Sequence, residues 1–180
     1  QKIISALCDC LGDDIFFEGK TYKSFPSAEK IADAGEKGLA FTRAGYRIPY
    51  IVNAANMVAQ GKVDFGFLDR LDIAEAEKYI MRLPGVGRKT ANLILGDVYH
   101  QPAYVCDTHC IRITGRLGLT DGSKDPLQVE RQLRAILPPE ESSDFCHRMV
   151  LFGRDVCTAR SPKCEDCPLR ADCAAAKAEK

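Results

Sequence analysis

Cys157, Cys164, Cys167 and Cys173 are spaced C-x6-C-x2-C-x5-C within seventeen residues. Four thiolates gathered so closely form the donor set of a metal centre, either a tetrathiolate zinc or an iron–sulfur cluster. Zinc sites of this size usually pair two C-x2-C knuckles, and here there is one, Cys164-Glu165-Asp166-Cys167. Spacing alone leaves both metals open, with iron–sulfur ahead. A disulfide framework is the bland alternative and belongs to small secreted domains, of which the chain shows no sign. Some seventy residues upstream, Leu83-Pro84-Gly85-Val86-Gly87-Arg88-Lys89-Thr90-Ala91 holds a proline and two glycines in one short turn. Such residues take up φ values that a Cβ disfavours. Free backbone amides at the start of the helix that follows would present an anion site suited to a DNA phosphate.

Helices must position both features. Before the turn, residues 72–83 place Ile73, Ala76, Ile80 and Leu83 on one face, and after it residues 90–99 are apolar enough for a buried helix. The pair predicts a helix–hairpin–helix over 72–99. Elsewhere Ser27 is placed to cap a helix through Ala34. Pro49 interrupts before a helical period resumes at Tyr50–Val58. Asp125, Pro126 at the first helical position and Gln128 read as a capping box for a helix ending at Leu137. Another helix is expected from about Ser143 to Gly153, and Gln1–Leu7 already has a mid-helix pattern. Strand signals are scarce, so the chain reads as almost all α. The Gln1 opening reads as a processed or trimmed N-terminus.

The chain has 180 residues, 46% of them hydrophobic, enough for one or two small cores. No apolar run reaches membrane-spanning length. Nine cysteines, four of them in the array, fit a reducing, cytosolic setting. Cys8, Cys10, Cys106, Cys110 and Cys146 read as free thiols in apolar surroundings. Formal net charge is zero, so a nucleic-acid partner would need a basic face rather than a basic total. Arg82, Arg88 and Lys89 flank the hairpin, and Arg154, Arg160, Lys163 and Arg170 surround the cysteine array.

Taken together, the segments Leu83-Pro84-Gly85-Val86-Gly87-Arg88-Lys89-Thr90-Ala91-Asn92 and Val105-Cys106-Asp107-Thr108-His109, with the cysteine array, resemble the endonuclease III superfamily of DNA glycosylases. The resemblance covers nearly the whole chain, and Lys89 and Asp107 stand eighteen residues apart, as that family's catalytic pair does. It implies a [4Fe–4S] cluster on Cys157, Cys164, Cys167 and Cys173. It also implies an all-α, two-domain layout: a six-helix domain at 14–101, and a cluster domain from 1–13 plus 102–180. Lys89 and Asp107 would then face one another across an interdomain cleft.

The activity so implied is base-excision repair on double-stranded DNA carrying a damaged base or an abasic site, by a monomer and without a membrane. The setting is cytoplasmic, and on the nucleoid if the source is bacterial. A stacked base must be flipped out before its sugar carbon can be reached. Lys89, as the free amine, would attack C1′ and expel the base, and the resulting Schiff base would permit β-elimination. Asp107 would stabilise the cationic sugar at the transition state, or serve only as an N-cap for a helix from His109 to Gly115. Gly85, Gly87 and Arg88 at the hairpin, with His109, Arg160 and Lys163, are the expected phosphate contacts. His109 could equally cap or pack, and the loop 158–163 would be clamped by the cluster.

The two halves of the chain point to different lesions. Tyr22-Lys23-Ser24-Phe25-Pro26-Ser27 and Ala44-Gly45-Tyr46-Arg47-Ile48-Pro49 resemble 8-oxoguanine glycosylases, which nominates Tyr46 as a wedge in the duplex. From Lys89 onward the chain resembles endonuclease III proper, which acts mainly on oxidised pyrimidines. Arg148 stands where the 8-oxoguanine branch keeps a base-reading glutamine, Phe152 matches its stacking phenylalanine, and His147 is a further candidate for base contact. Oxidised pyrimidines are the leading reading and 8-oxoguanine the alternative. Lys89 counts against an adenine glycosylase. A non-catalytic iron–sulfur DNA-binding module is the reading from another class. A ferredoxin-like carrier is disfavoured, because it uses a compact C-x2-C-x2-C run.

Overall fold

A computed structural model describes residues 1–178. Its first helix, α1 (Lys2–Leu11), covers the N-terminal helical pattern. A short antiparallel hairpin follows, β1 (Asp14–Phe17) and β2 (Lys20–Lys23), in the register Asp14↔Lys23 and Phe17↔Lys20. Glu18 and Gly19 form its two-residue turn with φ of 47° and 75°, the mirror-image geometry that matches strand twist. The all-α expectation omitted this hairpin. Its local signal is that Glu-Gly pair, and its side chains are exposed on both faces, so no inside–outside alternation marks it.

The helix α2 (Ala28–Gly38) begins where expected, with Ser27 accepting a hydrogen bond from the Lys30 amide. It changes direction at Gly35 (φ 61°, ψ −173°), one residue beyond the predicted end. Pro49 does not interrupt a helix but lies in the first turn of α3 (Ile48–Ala59), where the missing amide would have no helical partner. Next come α4 (Ile73–Ile80) and α5 (Arg88–Asp97). Asp72 caps α4 by accepting from the Glu75 amide at 2.8 Å. Ala76, Ile80 and Leu83 of the predicted face are buried.

Beyond the hairpin lie α6 (Thr108–Leu117), α7 (Pro126–Ile136), α8 (Ser142–Asp155) and the short α9 (Ala174–Ala178). Asp125 caps α7 through the Leu127 amide at 3.0 Å, but the predicted capping box does not close. Gln128 instead donates to Asp121 Oδ2 at 2.7 Å and accepts from the Ser123 hydroxyl, because the tight turn at Asp121–Ser123 offers nearer partners.

By compactness the chain falls into two units. One comprises Gln1–Arg70 with Lys78–Val86, and the other Leu71–Glu77 with everything from Gly87 onward. Compactness draws this line elsewhere than the layout implied by the family. In the first unit, Leu7 of α1 packs with Ile31, Leu39, Val52 and Ala55. In the second, Tyr104, Cys110, Ile113, Val129, Leu133, Cys146 and Met149 form the core between α6, α7 and α8. Among the described residues, no helix is long and apolar enough to cross a membrane.

Candidate active site

The turn before α5 is built by one glycine, not two. Gly85 has φ 79°, and a Cβ there would lie 2.8 Å from Tyr50 Cγ. Gly87 has an extended backbone (φ −99°, ψ 178°) as the N-cap of α5, with no side-chain cap, and a Cβ on it would meet nothing within 4 Å. The expectation that both glycines avoid strain therefore holds for Gly85 alone. At Gly87 the missing side chain leaves open space beside the free amides of the first α5 turn. Gly85→Ala should cost roughly 2–4 kcal/mol in a denaturant melt, from left-handed strain plus overpacking. Gly87→Ala should leave stability within about 0.5 kcal/mol and weaken DNA binding.

That first turn carries Lys89, whose side chain is 61% exposed and whose Nζ lies 3.8 Å from Asp107 Oδ2. Asp107, only 10% exposed, divides its two oxygens between tasks. Its Oδ1 accepts from the His109 and Cys110 amides, both at 2.9 Å, and so caps α6. Its Oδ2 is left facing the lysine. Capping and facing Lys89 are thus compatible, and the cap fixes where the carboxylate stands. Lys89 and Asp107 border two cavities of the second unit. One, of about 410 Å³, also touches Asn92, Tyr104, Cys106, Asp125 and Glu130. The other, of about 240 Å³, also touches Leu93, Cys146, His147, Val150 and Arg154.

The neighbouring Arg88 is spoken for. Its guanidinium meets Glu77 and Glu130, each at 3.1 Å, and Glu130 is shared with Arg134 at 2.9 Å. Arg134 also lies over the Tyr104 ring at 4.7 Å. Glu77 and Glu130 are buried, and buried carboxylates persist where they are paired in this way. Sequence reasoning nominated neither acid. The Glu130/Arg134 spacing of four on one helix was the available signal.

The other nominated residues lie at varying distance from this pair. His147 borders the smaller cavity, and its Nε2 is held 2.7 Å from Asp97 Oδ1. Burial works against the Asp97 charge, but hydrogen bonds from His147 and Ser143 prevail and hold its carboxyl below the usual range. Arg148 pairs with Glu141 and Asp144 and borders neither Lys89 cavity. Phe152 lines the cysteine cavity instead. The His109 ring packs at Gly153, where a Cβ would come within 2.4 Å of Nδ1, and that nitrogen lies 3.2 Å from Arg112. Tyr46 is 70% exposed in a 3-10 turn (Gly45–Arg47), with Arg47 over its ring at 4.5 Å.

Cys157, Cys164, Cys167 and Cys173 line a single cavity of about 130 Å³ with Phe152, Val156 and Leu117. Among the described residues, no three His, Cys, Asp or Glu side chains are drawn together tightly enough for a single metal ion. The donor set nevertheless fits an iron–sulfur cluster: four thiols, largely apolar walls, and an Arg116 guanidinium donating to Cys157 Sγ at 3.3 Å. Arg116 also donates to the carbonyls of Thr158 and Ala159, and Arg112 to that of Cys157 at 2.9 Å. These two arginines of α6 tie the loop 158–163 to the unit, a role that nothing local in the sequence marks. Arg160 and Lys163 on that loop are exposed.

A family model described as the HhH-GPD superfamily base excision DNA repair protein matches residues 2–139. The chain belongs to that superfamily. Residues 157–173 match the iron–sulfur binding domain of endonuclease III, so within the superfamily the chain carries that branch's cluster segment. Endonuclease III of Rickettsia conorii is 32% identical over 152 residues, which is 84% of this chain and 71% of that protein. A solved structure of a trapped endonuclease III–DNA covalent intermediate superposes with a TM-score of 0.66 at 31% identity, covering 85% of this chain and 71% of that one. MBOgg1 in complex with a low-affinity DNA ligand gives a TM-score of 0.75 at 25% identity, covering 86% and 53%. The chain spans 43% of the length of endonuclease III of Bacillus subtilis and 79% of that of Escherichia coli.

Proposed function

We infer that the chain is a bifunctional DNA glycosylase and abasic-site lyase of base-excision repair, acting on oxidised pyrimidines in double-stranded DNA. The observation that carries this reading is the Lys89 amine facing Asp107 Oδ2 at 3.8 Å, while Oδ1 of the same carboxylate is committed to the α6 cap. An exposed amine beside a fixed carboxylate suits attack on a sugar carbon whose ring develops positive charge. The flipped nucleotide presents C1′ to Lys89 Nζ, which bonds to it as the C1′–N bond to the base breaks and the base leaves with a proton. Breaking of the C1′–O4′ bond, with a proton passing to O4′, turns this adduct into the Schiff base, whose acidic C2′ proton is lost as the 3′ phosphate is expelled. When bound, a [4Fe–4S] cluster on the four cysteines supplies structural closure of the loop that carries Arg160 and Lys163. The free amides at Gly87 and the start of α5 supply a phosphate site. We place the protein in the cytoplasm as a monomer, on the nucleoid if its source is bacterial.

Exposed Tyr46, in the segment that resembles 8-oxoguanine glycosylases, favours 8-oxoguanine as the second reading. An exposed aromatic ring can fill the gap left by a flipped base. Borohydride trapping against duplexes containing thymine glycol, 8-oxoguanine opposite cytosine, adenine opposite 8-oxoguanine, or a bare abasic site decides between them. A Lys89-dependent adduct on thymine glycol is expected. Preferential trapping on 8-oxoguanine would transfer the assignment to the second reading, and no adduct on any duplex would leave only a DNA-binding module.

The basic loop gives a separate expectation. Arg160→Ala or Lys163→Ala should weaken binding to all sequences alike and flatten the dependence of log affinity on log salt by about one unit per lost phosphate contact. An unchanged slope removes the loop from the interface.

A further inference from the structure

A base that leaves with a proton needs a donor, and the smaller cavity beside Lys89 offers few. Asp107 Oδ1 is bound to two amides and Oδ2 faces Lys89, and an ionised carboxylate only accepts. Lys89 is the attacking amine. Arg154 borders the cavity, but a guanidinium keeps its proton. Cys146 belongs to the apolar core. His147 remains, the side-chain type that changes charge near neutral pH, and it borders the same cavity as Lys89 and Asp107. Two packed helices place it there. On α8, Ser143, His147, Val150 and Arg154 share one face at spacings of four, three and four. On α5, Lys89, Leu93 and Asp97 recur every four residues. His147 Nε2 lies 2.7 Å from Asp97 Oδ1, which also accepts from the Ser143 hydroxyl at 2.9 Å. The Asp97 carboxyl is held in its ionised form, so its oxygen accepts and Nε2 carries the hydrogen. Nδ1 is then the ring nitrogen not spent on Asp97. His147 also borders a second cavity of about 720 Å³, with Asp97 and Ser143.

We propose, on the basis of the glycosylase reading above, that His147 is the general acid of base release, giving the proton on Nδ1 to the departing pyrimidine, and that Asp97 is the positioning residue that holds its ring. As Lys89 Nζ bonds to C1′, the electron pair of the C1′–N bond passes to the base and onto the carbonyl oxygen beside that nitrogen. The Nδ1 proton of the imidazolium moves to this oxygen. The base therefore leaves neutral, and the imidazole is left neutral beside the Asp97 carboxylate. Solvent returns the proton, because the His147 side chain is 47% exposed. An abasic site has already lost its base and needs no such donor. The two activities of the Lys89 amine therefore differ in their need for His147: base release requires it, and Schiff-base formation on an abasic site does not.

The test compares the cluster-loaded wild-type chain with His147→Gln and Asp97→Asn under single-turnover conditions. One duplex carries thymine glycol and is scored by free base released; the other carries a bare abasic site and is scored by borohydride trapping. His147→Gln should slow base release about 10²-fold, the lower end of what a positioned acid contributes. Its affinity for the thymine glycol duplex should stay within about threefold, since the proton is given only in the transition state. Its abasic trapping should be unchanged, as should its melting temperature. Asp97→Asn still accepts the Nε2 hydrogen but lacks the charge, and should slow base release at least about tenfold with abasic trapping unchanged. Equal loss on both duplexes would make His147 a support of the whole site and overturn the proposal. A loss of affinity large enough to account for the slower release would make it a base contact only, and overturns the proposal likewise. Base release at the wild-type rate removes His147 from the chemistry. Wild-type protein that releases no thymine glycol instead overturns the oxidised-pyrimidine reading, and this proposal with it, so the two failures are read from different proteins.

Discussion

Lys89→Gln should abolish covalent trapping and strand cleavage to the limit of detection, while DNA affinity stays within a few-fold. Glutamine keeps a polar side chain of similar length at the exposed start of α5 but has no amine to form a Schiff base. The fold should be indifferent, since the lost interaction is an ion pair of 3.8 Å with one partner 61% exposed, and such pairs contribute at most about 1 kcal/mol. Asp107 is the sharper probe because its two oxygens have separate duties. Asp107→Asn keeps an acceptor for the His109 and Cys110 amides, so the α6 cap and the melting temperature should survive. It removes the negative charge facing the developing sugar cation, and the rate should drop about 10²–10³-fold. Asp107→Ala should lose both, adding about 1 kcal/mol of destabilisation to the rate defect. If Asp107→Asn kept full activity while Asp107→Ala were destabilised, the carboxylate would be a cap only.

Loss of the cluster should uncouple binding from chemistry. Substituting Cys167, or stripping the iron, leaves the segment from Cys157 to Cys173 with few buried side chains: Cys164, Glu165, Asp166 and Arg170 are all exposed. Segments of this kind owe their closure to the metal. Arg160, Lys163 and Arg170 should then become open to trypsin, and DNA affinity at moderate salt should fall at least tenfold, with the salt slope reduced by about two. Arg112 and Arg116 also hold the backbone carbonyls of Cys157 and Thr158 from α6, contacts that need no metal, so residues 157–159 should stay protected longest. The Lys89–Asp107 geometry lies in other elements, and trapping at saturating DNA should persist. Equal loss of trapping at saturation would show that the cluster supports the active pair itself.

Much of this was legible locally. Gly85 at positive φ, Ser27 and Asp107 as N-caps, and the buried face of Ala76, Ile80 and Leu83 all follow from rules that act within a few residues. Gly87 and Gln128 read wrongly from sequence because both residue types have several uses. Which use applies depends on atoms that a spacing rule does not see: open space at Gly87, and the hydroxyl and carboxylate of Ser123 and Asp121 beside Gln128.

The sequence by itself determined the chemistry available: four thiols at cluster spacing, an amine and a carboxylate eighteen residues apart, and helices to carry them. Residue type sets what a side chain can donate, accept or attack, and short-range periodicity sets the helix it rides on. Only the tertiary structure decided how those groups are spent. It turned Oδ2 of Asp107 to Lys89 while Oδ1 holds α6, and it neutralised Arg88 on Glu77 and Glu130. It sent Phe152 to the cysteine cavity and placed Cys110 and Cys146 in one buried core with Cys106 packed against it. Those assignments join residues up to forty-two positions apart, as Arg88 and Glu130 are, and such contacts are fixed by how helices pack rather than by any pattern along the chain.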